Sequence, residues 1–307
     1  MPKSEFLVEP GSGEGERLDV FLARKVPALS RSRVKKLIAG GAVHVGGAAR
    51  RSSYLLRPGD DVVLEYDVPG PGRLQPEDLP LKVLYKDADV VVLDKPSGLV
   101  VHPGAGNASG TLANALLHHF PEMAGIGAPE RAGIVHRLDK DTSGVMVAAR
   151  SARAYDSLVG QFRRKDVWKT YLGLVRGRVT APEGRIDWPI GRHATDGKRI
   201  SVRSRHAKDA ETYFRVLETF PDETLLEIRP TTGRTHQIRV HLAAAGHPIV
   251  GDRLYGRRKD GRTEPRLFLH AHVISFLHPA TGERLEFASP LPPDLEEVLR
   301  GERDRPA

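Results

Sequence analysis

Residues 212–228 read TYFRVLETFPDETLLEI. They hold two apolar, aromatic and β-branched runs, Thr212 to Leu217 and Thr224 to Ile228, with no helical spacing between them. Strands joined this directly pair antiparallel. Working outward, similar runs occupy residues 168–175, 238–242, 267–276 and 285–287, and residues 81–85 and 90–93 flank Asp87-Ala88-Asp89 as a hairpin would. Helical spacing is rarer. It covers residues 111–120, with Leu112, Ala115, Leu116 and His119 on one side, and a helix capped by Ser151 with Ala154, Leu158 and Phe162 inward. Consecutive strands with few helices between them predict an α+β class and a mixed, largely antiparallel sheet rather than a doubly wound one.

The 307-residue chain has no cysteine, which excludes disulfides, zinc ribbons, iron–sulfur clusters and a thiol nucleophile. No run approaches the roughly 18 to 20 apolar residues of a membrane helix. The acidic, Gly-rich start resembles neither a signal nor a transit peptide. A cytoplasmic protein is expected. Lys and Arg total 47 against 39 Asp and Glu, a formal charge of +8, so a polyanion is the first partner to test.

That charge is unevenly placed. Residues 17–66 carry 10 basic and 4 acidic side chains, while residues 1–16 sum to −3. DVPGPGRLQPEDLP, residues 67–80, has four prolines and two glycines and reads as a linker. The expected organisation is a tail (1–16), a basic module (17–66), a linker (67–80), a larger body (81–300) and a loose tail (301–307). In the basic module, Leu18, Phe21 and Leu22 mark one short helix. Ser30 caps a second, with Val34, Leu37 and Ile38 inward. Arg31, Arg33, Lys35 and Lys36 fall off that stripe, placed to meet phosphates; a solvated charged face is the alternative. Strands at 42–45 and 61–65 follow, the first ending in a Gly46-Gly47 turn. RLDVFLARKVPALSRSRVKKLIAGGAVHVGG with RPGDDVVLE resembles the small RNA-binding domain named after ribosomal protein S-four, which implies structured RNA as the target.

In the body, AGIVHRLDKDTSGVMVAAR (residues 132–150) brackets a polar stretch between two apolar runs, an arrangement that holds a loop rigidly. Asp141 precedes Thr-Ser-Gly and suits an Asx-type turn. Asp139 follows Leu138, an anchor that sets its direction. On these residues alone, Asp139 is as readily a satisfied turn carboxylate as a catalytic one. A partly buried carboxylate needs a cation or several donors, and TTGRTHQIR (residues 231–239) offers arginines at the start of a strand. His236, His241 and His247 lack zinc spacing, and no nucleophile elbow or phosphate loop is present.

HRLDKDTSG (136–144) is similar to the signature of the RluA-type family of RNA pseudouridine synthases. DKPSGLVVHPG from Asp94, WKTYLGLVRG from Trp168 and TGRTHQIRVHL from Thr232 resemble its other motifs in the same order. The resemblance covers residues 17 to about 290. It implies the pseudouridine synthase fold and isomerisation of uridine in large-subunit ribosomal RNA, with no cofactor and no metal; a monomer with no membrane partner is expected. By motif position, it implies that Asp139 initiates, that Arg234 pairs with Asp139 and keeps it charged, and that Tyr171 stacks on the uracil and helps remove the carbon-five proton. Arg137 would fill the stack vacated by a flipped base, Lys95 and Pro96 would brace the pocket wall, and His236 and Arg239 would order the strand beside Arg234. A non-catalytic ribosome-assembly RNA-binding protein and a ribonucleoside hydrolase are the competing readings.

Overall fold

The computed structural model describes every residue except 1–2, 27–28, 30, 66–73, 105–106, 129–130, 194–195, 197–198, 205, 257–265 and 306–307, and the side chains of Lys3, Ser32 and Arg33. The Ser30 cap, the Arg33 side chain, the first half of the linker and most of the polar run after Gly256 therefore lie outside the described residues. The chain divides into two compact units, residues 1–72 and 73–307.

The smaller unit contains β1 (Lys3–Leu7), α1 (Leu18–Lys25), α2 (Arg31–Ala39), β2 (Val43–Val45), β3 (Ala48–Ala49) and β4 (Asp61–Glu65), with sheet order β1-β4-β2-β3. Leu18, Phe21, Leu22, Val34 and Ile38 meet Val43, Val45, Val62 and Leu64 in one core, as the helical spacing requires. The expected N-terminal tail is a correction. Residues 3–7 pair antiparallel with β4, because Phe6 packs on this core and Val8 is buried within it.

The larger unit holds β5 (Lys82–Lys86), β6 (Val90–Lys95), α3 (Leu112–His119), β7 (Ser143–Ala149), α4 (Ala152–Arg164), β8 (Trp168–Arg176), β9 (Glu183–Ile186), β10 (Gly191–Arg192), β11 (Ile200–Ser201), β12 (Thr212–Thr219), β13 (Glu223–Pro230), α5 (Gln237–Ala244), β14 (Leu269–Leu277), β15 (Arg284–Ala288) and α6 (Pro293–Arg303). Its main sheet runs β5-β6-β7-β14-β8-β13-β12-β9, with β15 on β14. Among the named strands of the described residues, only β7 and β14 pair in parallel, and the other ladders of this sheet are antiparallel. The α+β class and mixed sheet hold. Thr111 and Ser151 accept hydrogen bonds from the amides three residues on, capping α3 and α4. Among the described residues no helix is long and apolar enough to cross a membrane.

Three further expectations need correction. Residues 237–244 form a helix, not a strand. All of Gln237 to Leu242 is buried, so the alternation of Ile238, Val240 and Leu242 carries no information about period. The linker ends early: Leu74 joins the large core, and Gln75 accepts a hydrogen bond from Asn114 at 2.8 Å. The C-terminal tail begins late, since α6 continues to Arg303 with Leu295 and Leu299 inward. Pro293 at its first turn, with Asp294 and Glu296 beside it, begins that helix.

One glycine decides how close β7 lies to β14. Gly144 has φ +118°, and a Cβ there would stand 2.1 Å from the Ala271 carbonyl oxygen. Backbone on both sides leaves no escape. Gly144→Ala is expected to cost at least about 2 kcal/mol of unfolding free energy, measured by denaturant melts; an unchanged midpoint would contradict this packing.

Candidate active site

The loop leading into β7 is fastened along its length. His136 Nε2 accepts from the Val147 amide at 3.1 Å, and its ring stacks on Phe162 of α4 at 4.7 Å. Burial, then the Lys169 charge, pushes this imidazole down to about 3, so it stays neutral. Leu138 is buried in the core. Lys95, almost wholly buried, donates to the carbonyls of Pro96, Leu99 and Lys140 at 2.9, 2.9 and 3.1 Å. Burial pushes its ammonium down to about 8, while Asp141 and Asp139 pull it back up. The Gly98 amide donates to Lys140 O and Ser97 Oγ to Asp141 O, both at 2.9 Å. Ser143 Oγ meets buried His270 at 2.9 Å.

Lys95 braces the loop from behind through the Lys140 carbonyl, the Pro96 carbonyl accepts from Lys95, and neither residue lines the cavities in front. The expected Asx turn at Asp141 is a correction: its side chain is exposed, and among the described residues only its main-chain carbonyl is bonded, by Ser97 Oγ.

Asp139 stands at the front of this loop, and the arginine that reaches it is Arg239, not Arg234. Arg239 Nη1 lies 3.3 Å from Asp139 Oδ2. Its Nε and Nη2 grip Asp252 at 2.7 and 2.9 Å. Asp252 also accepts from the amides of Leu254 and Tyr255. Burial works against the charge on both partners, but the pairing outweighs it, holding Asp252 below and Arg239 above their ordinary ranges. The helical course of α5 explains the exchange. Residue 234 precedes the helix, where its amide donates to Gln237 Oε1 and its Nε to the Asp209 carbonyl at 3.2 Å. Residue 239 lies in the first turns and points inward.

Two cavities flank Asp139 and share the Arg137–Asp139 segment, His236 and Arg239. One, of about 770 Å³, runs past His102, Asn107 and Arg253. The other, of about 600 Å³, contains Tyr171, Lys169, Thr232 and Arg234. Among the described residues, seven cationic side chains line the second cavity (Arg131, Arg137, Arg163, Lys165, Lys169, Arg234 and Arg239) against one carboxylate, Asp139. Such a cleft attracts a polyanion. Tyr171 is buried on β8, and burial plus the Asp139 charge pushes its hydroxyl up, so it remains a phenol. Arg137 is exposed at the rim, with no ion pair among the described residues.

In the smaller unit, two of the four expected phosphate-binding cations have an internal partner. Arg31 Nε and Lys35 Nζ lie 2.9 and 3.5 Å from Asp19 Oδ2, and Arg17 Nε lies 2.9 Å from Oδ1. The Asp19 carboxylate is fully buried, yet all three cations are about half exposed. Lys36 is exposed and unpaired among the described residues.

Sequence reasoning missed Asp252, Tyr255, His102 and Lys169. Lys169 had a signal, since it sits two residues from Tyr171 on a strand and therefore on the same face. Asp252 had none, because it lies 113 positions beyond Asp139 and meets it only through Arg239.

The family model for RNA pseudouridylate synthase matches residues 89–244, and that for the S4 domain matches residues 16–62. An uncharacterized RNA pseudouridine synthase of Aquifex aeolicus is 45% identical over 304 residues, covering 96% of this chain and 95% of that protein. The ribosomal large subunit pseudouridine synthase D of Xanthomonas campestris is 44% identical, covering 97% and 92%. Among solved structures, human RNA pseudouridylate synthase domain containing 1 superposes with a TM-score of 0.58 at 28% identity, over 75% of this chain and 97% of that one.

Arg239→Gln strands the buried Asp252 carboxylate and is expected to lower unfolding free energy by about 3 to 5 kcal/mol. Arg234→Gln, on the exposed loop, should stay within about 0.5 kcal/mol of the parent. Urea melts of both variants check this, and the reverse order would refute the pairing.

Proposed function

The chain belongs to the RNA pseudouridylate synthase family and carries an S4 domain, and from that premise we propose that it converts specific uridines of large-subunit (23S) ribosomal RNA to pseudouridine, with Asp139 as the initiating carboxylate. The protein is an isomerase. Relatives named ribosomal large subunit pseudouridine synthase D, 44%, 42% and 41% identical, support the choice of RNA.

The observation that carries the residue assignment is the Tyr171 cavity, where among the described residues a single carboxylate stands among seven cations. Phosphates meet the cations other than Arg239, which stays with Asp252 and Asp139, and Asp139 faces the sugar. In the reaction the bond from ribose to ring nitrogen breaks, the uracil turns, ribose rejoins at carbon five, and the carbon-five proton moves to the freed nitrogen. Every atom is kept and no electrons are exchanged with a partner. Asp139 either attacks the sugar or takes its 2′ proton. Tyr171 provides a flat wall for the uracil, and as a neutral phenol it suits stacking and hydrogen bonding better than service as an anionic base. A uridine within structured RNA must be turned out of its stack. Arg137, exposed at the rim, has the planar guanidinium to fill the gap. Arg234 serves this reading as a cation of the cleft, and the S4 unit as a second grip on the RNA.

Asp139→Asn is expected to abolish pseudouridine formation in a 23S transcript, read by mass spectrometry of nuclease digests, with the thermal midpoint nearly unchanged. Retained product would refute the assignment. Lys36→Glu should weaken RNA binding and flatten the salt dependence by about 0.7 to 0.9 per lost phosphate contact; an unchanged slope would remove Lys36 from the RNA face.

A further inference from the structure

Asp139 is held by one oxygen only. Arg239 Nη1 at 3.3 Å and His236 Nε2 at 4.0 Å both face Oδ2, and among the described residues no hydrogen bond reaches Oδ1. His236 is itself tightly fixed. It is the N-cap of α5 and adopts the left-handed conformation, φ 55° and ψ 18°, which a non-glycine side chain rarely occupies and which the surroundings must impose. Its Nδ1 lies 2.9 Å from the Tyr255 hydroxyl oxygen, and the Ile200 amide donates to that same oxygen at 2.9 Å.

These bonds favour one tautomer. The Tyr255 oxygen already accepts from Ile200, which leaves its own hydrogen to be donated to His236 Nδ1. Nδ1 is then the acceptor, and the imidazole proton sits on Nε2, facing Asp139. We propose that Tyr255 fixes the tautomer of His236 so that its Nε2–H faces Oδ2 of Asp139 across 4.0 Å, adding its attraction to the Arg239 contact and leaving Oδ1 as the reacting oxygen. His236 and Tyr255 are positioning residues for the isomerisation, and the inference rests on the reading of Asp139 given above. Without the Tyr255 proton, neutral His236 can shift its hydrogen to Nδ1 and turn a lone pair on the carboxylate. The groups that face His236 are Asp139, Arg239, Asp252, Arg137 and Tyr255. Burial favours its neutral form, and Asp139 opposes that.

The test uses the full chain, a 23S transcript and single-turnover rates at saturating enzyme. Tyr255→Phe is expected to react about three-fold more slowly than the parent at pH 8.5, the loss of a weak N–H attraction to the carboxylate across 4.0 Å, with RNA affinity unchanged. Its rate relative to the parent should rise as the pH is lowered below the ordinary imidazole range, where buried His236 takes up its second proton, because the imidazolium carries a proton on Nε2 in any tautomer. A structural defect would not recover. His236→Gln, which keeps an N–H donor, should retain more activity than His236→Leu; this comparison decides the matter if Tyr255→Phe fails to fold. A Tyr255→Phe ratio that stays flat with pH, or equal rates for the Gln and Leu variants, would overturn the inference. Asp139→Asn runs beside them. If it is inactive while Tyr255→Phe matches the parent, only the positioning role fails; if it is active, the reading of Asp139 fails.

Discussion

A buried guanidinium joined to two carboxylates organises this site. Arg239 is committed to Asp252, whose side chain is fully buried, and extends its remaining nitrogen to Asp139. Neither buried charge could persist alone, since an unpaired ion away from water costs several kcal/mol. The pair therefore requires α5 to begin where it does and the segment after Ile249 to return beside it. Among the described residues Asp139 is the only acid the second cavity presents, and its position is set by what α5 needs for its own burial.

The loop bearing Asp139 is pinned from the other side by uncharged contacts and one lysine. Three carbonyls share the Lys95 ammonium, and neutral His136 receives the Val147 amide. A main chain this restrained loses little freedom when RNA arrives, which is how a carboxylate can be kept near a productive geometry. The smaller unit uses similar logic for a different end. Buried Asp19 gathers three cations at its surface, holding their inner atoms while their outer faces stay wet.

Much of this was legible in the sequence, and the misreadings share a cause. Period-two runs, the Ser151 cap and the Gly46-Gly47 turn report local preferences, and those elements formed where expected. Residues 237–244 were misread because they are buried on all sides, so spacing could not separate helix from strand. That error carried the wrong arginine with it: a motif names a residue type at a place, but only the turn of α5 shows that 239 and not 234 faces Asp139. Asp252 and Tyr255 stayed invisible because their roles arise from contacts across the fold, with no pattern of their own. The ends of the chain were read as loose from their Gly and charge content, yet Phe6 and Leu299 had cores to join.

The most direct test of the account is the single-turnover rate of pseudouridine formation by Arg239→Lys. Lysine keeps the charge but cannot grip Asp252 with two nitrogens while reaching Asp139. The account predicts a rate lower by about ten-fold or more with RNA affinity preserved. A rate equal to the parent's would contradict it.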